Sequence, residues 1–312
     1  MDTQFFTKQK PDPTKFSVMT VGNFDGVHLG HQKIVSKLSE LSKADKNAIA
    51  LSFNPHPREV LGNASMALIS TLHQRAQKIA TLDQNIVYGA ITFDHAFSQL
   101  TDEAFLRALM AGWNMSDLVI GTTTHLGRNR MGTPDRLQAL ARQLGFKLHV
   151  VEPMVLDGHI VSSSIIRRSI LKGDVHRAKA MMGELFKTTG EVMRHSGLGT
   201  KLGVPTANLA CLPSELLPCD GVYAAWVCVE QNHYPAAVNL GYRPTVTQKK
   251  AQRLLEAHVL STTLDLAGKS IEVHWVERIR EECKFESLGA LQTQIQKDIT
   301  KIKKTLDQTP FG

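Results

Sequence analysis

The chain has few cysteines and few aromatics, and no long apolar run. Its four cysteines, Cys211, Cys219, Cys228 and Cys283, all lie in the C-terminal part, and none forms a Cys-x-x-Cys pair, which argues against a zinc site. With no secretory leader at its start, the chain is expected in the cytoplasm with these thiols free. Nothing approaches the ~18 consecutive apolar residues of a membrane span, so no membrane is expected as a partner. Both common phosphate-loop patterns are missing: there is no Gly-x-x-x-x-Gly-Lys-Ser/Thr and no Gly-x-Gly-x-x-Gly. Lysine and arginine number 36 against 29 acidic residues, a net charge of +7 that suits anionic ligands. Without a basic run, however, that excess gives no reason to expect nucleic acid.

What is present fits two domains. The 312 residues are 42% hydrophobic and 21% charged, long for a single core and ordinary for a globular protein. In the first half, short apolar runs alternate with helical periodicity. Phe16, Val18 and Val21 read as a buried strand, and Ile34, Val35, Leu38 and Leu41 as a helix. Strands then follow at Ile49–Phe53, Val87–Phe93, Leu118–Ile120 and Phe146–Val151, with helices near Thr71–Thr81, around Phe105–Leu109 and at Leu137–Leu144. This alternation predicts an α/β unit with a parallel sheet and flanking helices, whose ligands sit beyond the carboxyl ends of the strands. From about Phe186 the texture changes to short strands: the Val192 region, Val222–Val229, Ala236–Leu240, Leu255–Leu260 and Ile271–Val276. These predict a small antiparallel barrel. A closing helix carries an apolar stripe of Leu288, Leu291, Ile295, Ile299 and Ile302, expected to pack on that barrel. The boundary is expected at 185/186, and no oligomeric state is legible.

The first strand runs into Gly22-Asn23-Phe24-Asp25-Gly26-Val27-His28-Leu29-Gly30-His31 and a helix follows. Glycines there let a ligand approach the backbone, a helix N-terminus offers unpaired N–H groups to phosphate, and histidines can donate to charge developing on phosphate oxygens. The stretch resembles the His-x-Gly-His signature of nucleotidyltransferases. A second cluster, Val161-Ser162-Ser163-Ser164-Ile165-Ile166-Arg167, opens another helix. Serines at such a position ordinarily cap it, but beside an arginine they can also hold a triphosphate.

Together with Phe53-Asn54-Pro55-His56-Pro57, these stretches resemble the prokaryotic bifunctional riboflavin kinase/FAD synthetases, and the resemblance covers almost the whole chain. It implies that His28 and His31 stabilise the α-phosphate as FMN attacks ATP. Gly22, Asn23, Phe24, Gly30, Ser162, Ser163 and Arg167 would hold the nucleotide, and His56 and Leu126 would border the flavin. One loop departs from the family pattern. Where aromatics usually line the flavin site, this chain has Gly121-Thr122-Thr123-Thr124-His125-Leu126-Gly127, and lost aromatic surface weakens ring stacking by about 1 kcal/mol per pair.

In the second half, Leu202-Gly203-Val204-Pro205-Thr206-Ala207-Asn208 resembles the riboflavin kinase signature, which makes Thr206 and Asn208 the expected Mg²⁺–ATP residues. Gly197, Gly199 and Lys201 resemble a glycine-rich flap over the nucleotide, with the cation displaced by one position. Glu256, in Leu255-Glu256-Ala257-His258, matches the family's catalytic base, which takes a hydroxyl proton during phosphoryl transfer. Arg280 is expected at the edge of the flavin pocket, and Arg243 in the scaffold. The expected activity is phosphorylation of riboflavin to FMN with ATP and Mg²⁺, then adenylylation of FMN to FAD. Two alternatives stay open: a kinase with an impaired adenylyltransferase unit, and a non-catalytic flavin- or nucleotide-binding regulator.

Overall fold

The computed structural model describes residues 1–42, 45–62, 66–193, 206–209, 216–243, 252–260, 262 and 264–311. The chain divides into two compact units, Met1–Ser163 and Ser164–Gly312.

The first unit is built on a six-stranded sheet. Its strands are β1 (Thr3–Phe5), β2 (Ser17–Val21), β3 (Asn47–Asn54), β4 (Ile86–Thr92), β5 (Met115–Gly121) and β6 (Lys147–Val151), in the order β1-β4-β3-β2-β5-β6. Strands β2 to β6 pair in parallel, as expected, and β1 adds an antiparallel edge on β4. Every residue of β2 is buried, because both faces of the sheet are covered. Val18 faces α1 (Leu29–Ser42) and α3 (Leu72–Leu82), in a core with Leu38, Ile79 and Val119. Met19 and Val21 face α5 (Asp102–Trp113) and α6 (Pro134–Leu144), with Phe105, Leu109 and Leu137. Phe16, expected within the strand, precedes it and is 65% exposed. Short helices α2 (Pro57–Leu61) and α4 (His95–Ser98) and a hairpin of β7 (Val155–Leu156) and β8 (His159–Ile160) complete the unit.

The chain passes from β2 to β3 and β4 on one side, then crosses to β5 on the other. The carboxyl end of β2 is therefore a switch point, where the connections diverge and leave a crevice. The Gly22–His31 turn begins there.

Helix α7 (Ser163–Leu171) spans the division between the units and is followed by α8 (Val175–Met182). The barrel comprises β9 (Lys187–Met193), β10 (Ala207–Leu209), β11 (Gly221–Val229), β12 (Asn232–Arg243), β13 (Gln252–Val259) and β14 (Ser270–Arg280), closed in the order β10-β13-β12-β11-β14-β9. Tyr223, Val227, Val273 and Trp275 are fully buried, and Tyr223 meets Trp275 edge-on at 5.0 Å. Val222 and Ala224 belong to the other face of β11. They pack with Val276, Ile302 and Leu306, under α9 (Leu288–Gln308). Only the C-terminal part of the expected stripe is well covered. Ile302 and Leu306 are buried, whereas Leu288 is 66% exposed.

Candidate functional site

The turn after β2 is held in a conformation that its sequence alone would not favour. Phe24 and Val27 have positive φ, +50° and +35°, in a region costly for a β-branched residue. The compensation is a hydrogen-bond network. Asp25, 1% exposed, accepts on Oδ1 from the backbone N–H of Ile69 at 2.9 Å and of Ser70 at 3.1 Å. Ser70 Oγ takes the N–H of Gly26 at 2.8 Å, and Ser52 donates to the Asn23 carbonyl at 3.0 Å. Arg75, on α3, reaches the same carbonyl at 2.9 Å and Asp25 at 3.1 Å.

The two histidines follow. Their rings stack with centroids 3.6 Å apart and planes 16° apart. The N–H of His31 donates to His28 Nδ1 at 3.3 Å, so neutral His28 carries its proton on Nε2. Burial pushes His28 down to about 4, against a smaller opposing pull from Asp25. Burial, then His28 and Arg75, push His31 well below its ordinary value. Both rings are therefore neutral hydrogen-bond donors at pH 7. Gly30 lets them lie this close: a Cβ there would stand 3.2 Å from the His28 ring and 3.5 Å from the Val161 carbonyl. Two buried polar atoms, Asn23 Oδ1 and His31 Nδ1, have no hydrogen-bond partner among the described residues. Such unmet capacity is what a polar substrate satisfies.

Ser163, from the second cluster, donates to the Asp25 carbonyl at 2.9 Å and so ties the two motifs together. Ser162 precedes it, half-buried, and Arg167 lies one turn along α7. Gly22 continues β2 through its N–H to the Leu51 carbonyl. Phe24 is buried and sits 5.2 Å from the His31 ring. His56 is buried and caps α2, its Nδ1 accepting from the Arg58 N–H at 3.1 Å.

Leu126 points into the core that holds Phe105 and Leu137. Its loop is closed by a bridge from Leu126 to Gly132 and by Thr124, whose hydroxyl accepts from the Gly121 N–H at 3.1 Å. Gly127 (φ +73°) lies against the start of α5, where a Cβ would be 2.4 Å from the Asp102 nitrogen. The buried Asp102 carboxylate in turn pairs with Arg136.

In the barrel, Asn208 on β10 is the direct cross-strand partner of Glu256 on β13. Glu256 faces Asn239 on its other side. Asn208 is 3% exposed, and its Oδ1 has no hydrogen-bond partner among the described residues. A buried oxygen left without a donor, beside the half-buried Thr206, suits a hard cation such as Mg²⁺. Among the described residues no group of three His, Cys, Asp or Glu could hold a metal. Arg280 is held by Asp298 of α9 at 2.9 Å and by the Glu281 carbonyl at 2.8 Å, and it lies over the Phe285 ring. Gly197, Gly199 and Lys201 lie outside the described residues, as does the side chain of Arg243.

Sequence reasoning missed Arg75 and Ser70, which no local pattern marks, and the pairing of Glu256 with Asn208, which is a matter of register. Only the unusual demand of a positive φ at Phe24 and Val27 could have hinted that the turn needs external support.

A His-x-Gly-His turn at the switch point of a parallel sheet, joined to a closed barrel with an Asn–Glu pair, defines a nucleotidyltransferase unit followed by a kinase barrel. Family models agree: residues 10–165 match FAD synthetase and residues 182–306 match riboflavin kinase. A bifunctional riboflavin kinase/FMN adenylyltransferase of Buchnera aphidicola (subsp. Schizaphis graminum) is 33% identical over 92% of this chain and 93% of its own. One from Bacillus subtilis is 32% identical over 90% of each. A crystal structure titled as a macrolide-efflux protein from Streptococcus pneumoniae superposes with a TM-score of 0.86 at 26% identity, over 94% of this chain and 96% of its own. The chain belongs to the bifunctional riboflavin kinase/FMN adenylyltransferase family, and both of that family's domains are present. Among the described residues no helix is long and apolar enough to cross a membrane.

Proposed function

We propose that the barrel phosphorylates riboflavin to FMN with ATP and Mg²⁺, and that the N-terminal unit adenylylates FMN to FAD, both in the cytoplasm. The adenylyltransferase domain runs over 1–185 and the kinase over 186–312, a cut that keeps every barrel strand together, since β9 begins at Lys187. What carries this reading is that partners distant in sequence meet in each unit: Ser163 with the histidine turn, and Asn208 with Glu256.

In the first unit, a phosphate oxygen of FMN attacks the α-phosphorus of ATP, and the bond to the bridging oxygen breaks to release pyrophosphate. Neutral His28 offers Nε2–H to the α-phosphate oxygens, and the N-terminus of α1 behind it adds backbone N–H groups. Because the donors are uncharged, their bonds strengthen as charge builds on those oxygens, which favours the transition state over bound ATP. Ser162, Ser163 and Arg167 hold the triphosphate, and His56 and Leu126 border the flavin. In the barrel, Glu256 takes the proton of the riboflavin 5′-hydroxyl as that oxygen attacks the γ-phosphorus, and the bond to the β–γ bridging oxygen breaks to release ADP. Thr206 and Asn208 would hold the Mg²⁺, whose chemistry would be to neutralise triphosphate charge. Arg280 braces the flavin edge from its anchor on Asp298.

The test is purified protein with riboflavin, ATP and Mg²⁺, its products separated by chromatography. His28→Ala is expected to cut FAD formation by about 10³-fold and to leave FMN formation intact. A folded variant losing both activities together would refute the division of labour, and wild-type protein making FMN alone would refute the adenylyltransferase assignment.

A further inference from the structure

Arginine is almost never fully buried without a partner, yet Arg75 is 1% exposed. Four hydrogen bonds of its guanidinium go to the histidine turn or to Ser70, which braces it. Nη1 donates to the Asn23 carbonyl at 2.9 Å, and Nη2 to Asp25 Oδ1 at 3.1 Å and the Ser70 carbonyl at 2.7 Å. Nε donates to Ser70 Oγ at 3.2 Å, and that oxygen also holds the Gly26 N–H. These bonds close a ring from α3 through Ser70 to both flanks of Phe24, where the backbone is at positive φ. A lysine could supply the charge but not this fork of donors.

Charge is the second contribution. Among the described residues, the charged groups that act on the histidines are Asp25 on the turn itself and Arg75 on α3, and the buried Tyr88 hydroxyl on β4 acts on Asp25 and Arg75 in turn. Asp25 pulls a proton toward His28, whereas Arg75 repels one from His31. With the rings 3.6 Å apart, a proton on His31 would set a full charge against its neighbour.

We propose that Arg75 is the positioning residue for adenylyl transfer: through Asn23 and Asp25 it fixes the turn that carries His28 and His31. Its charge adds to burial and to the neighbouring His28 in keeping His31 neutral. The role rests on the adenylyl-transfer reading above. It differs from a merely structural role, because a structural residue would alter stability and activity without altering the titration of a histidine.

The experiment uses the full chain with Arg75→Gln and Arg75→Lys, and has two readouts. Imidazole NMR signals, assigned with His31→Gln, are titrated in the free protein, and kcat and KM for FAD formation are measured from added FMN. Arg75→Gln is expected to raise the His31 titration and to lower kcat by about 10²-fold, with KM for ATP within threefold of wild type. Arg75→Lys is expected to keep the His31 titration of the wild type while kcat still falls. An unmoved His31 titration in Arg75→Gln, or a kcat within threefold of wild type, overturns the proposal. Should Arg75→Gln fail to fold, Arg75→Lys decides: a shifted His31 titration or an undiminished kcat overturns it. Wild-type protein that forms no FAD would instead remove the adenylyl-transfer reading, while the titrations would still report what Arg75 does to His31.

Discussion

Asn208 poses a sharp test, because its side chain looks unfavourable for folding and necessary for chemistry. It is 3% exposed, and its Oδ1 has no hydrogen-bond partner among the described residues. Burying an acceptor in that state costs about 1–3 kcal/mol. Truncation in Asn208→Ala removes this penalty and also deletes packed atoms, a loss of about 1–2 kcal/mol. The two effects are similar in size and opposite in sign. Folding stability without ligands should therefore change by no more than about 2 kcal/mol, or about 5 °C in Tm. If that oxygen holds the metal as proposed, riboflavin phosphorylation should fall by at least about 10²-fold. The assay pairs thermal unfolding of ligand-free protein with chromatographic measurement of FMN from riboflavin, and of FAD from added FMN as an internal control. Destabilisation beyond about 3 kcal/mol would mean that Asn208 serves the fold, and retained kinase activity would mean that it does not serve the metal. Either outcome refutes the reasoning.

Further expectations follow from the first unit. Burial alone would raise the Asp117 carboxyl, but hydrogen bonds from Lys46, His149 and Ser116 outweigh it and bring it down to about 2. A depressed carboxyl stabilises the fold above its unfolded value of 3.8, and that contribution is lost as pH falls through 2. Asp117→Asn should thus cost about 2 kcal/mol in denaturant unfolding at pH 7 and close to nothing near pH 2; equal costs at both would contradict the ion-pair account. Gly127→Ala would place a Cβ 2.4 Å from the Asp102 nitrogen at a φ of +73°, so the loop has to leave α5. We expect a stability loss of about 2–4 kcal/mol and weakened FAD formation with FMN formation unchanged, read from unfolding curves and product ratios.

The sequence made legible whatever depends on neighbours along the chain. Strands flanked by turn residues, helices with a clear apolar period, and the strand–turn–helix around His28 all follow from local rules, and all are present. Registers were harder. The strand Val222–Val229 was visible, but its extent does not say which face is the interior. In the fold Val222 and Ala224 lie under α9, whereas Tyr223 and Val227 fill the barrel. Leu288 continued the apolar stripe, yet α9 begins beyond the surface it covers, which leaves Leu288 exposed. The three-residue β10 is too short to carry a period, so the meeting of Asn208 with Glu256 appears only once the barrel closes. Arg75 is an ordinary helix residue until α3 folds against the turn. The anchor of Arg280, Asp298, lies eighteen positions away on α9 and is marked by no local pattern.

The bond from Ser163 to the Asp25 carbonyl spans 138 positions of chain. During synthesis the histidine turn emerges early, and the residue that locks it emerges last in its unit. At about 5–20 residues per second, the strands and helices in between are available for seconds before the site can close. A nascent chain halted before Ser163 would carry both histidines and most of the sheet, yet lack the tie that joins the two motifs. The tie between the two motifs therefore forms only once the unit is complete.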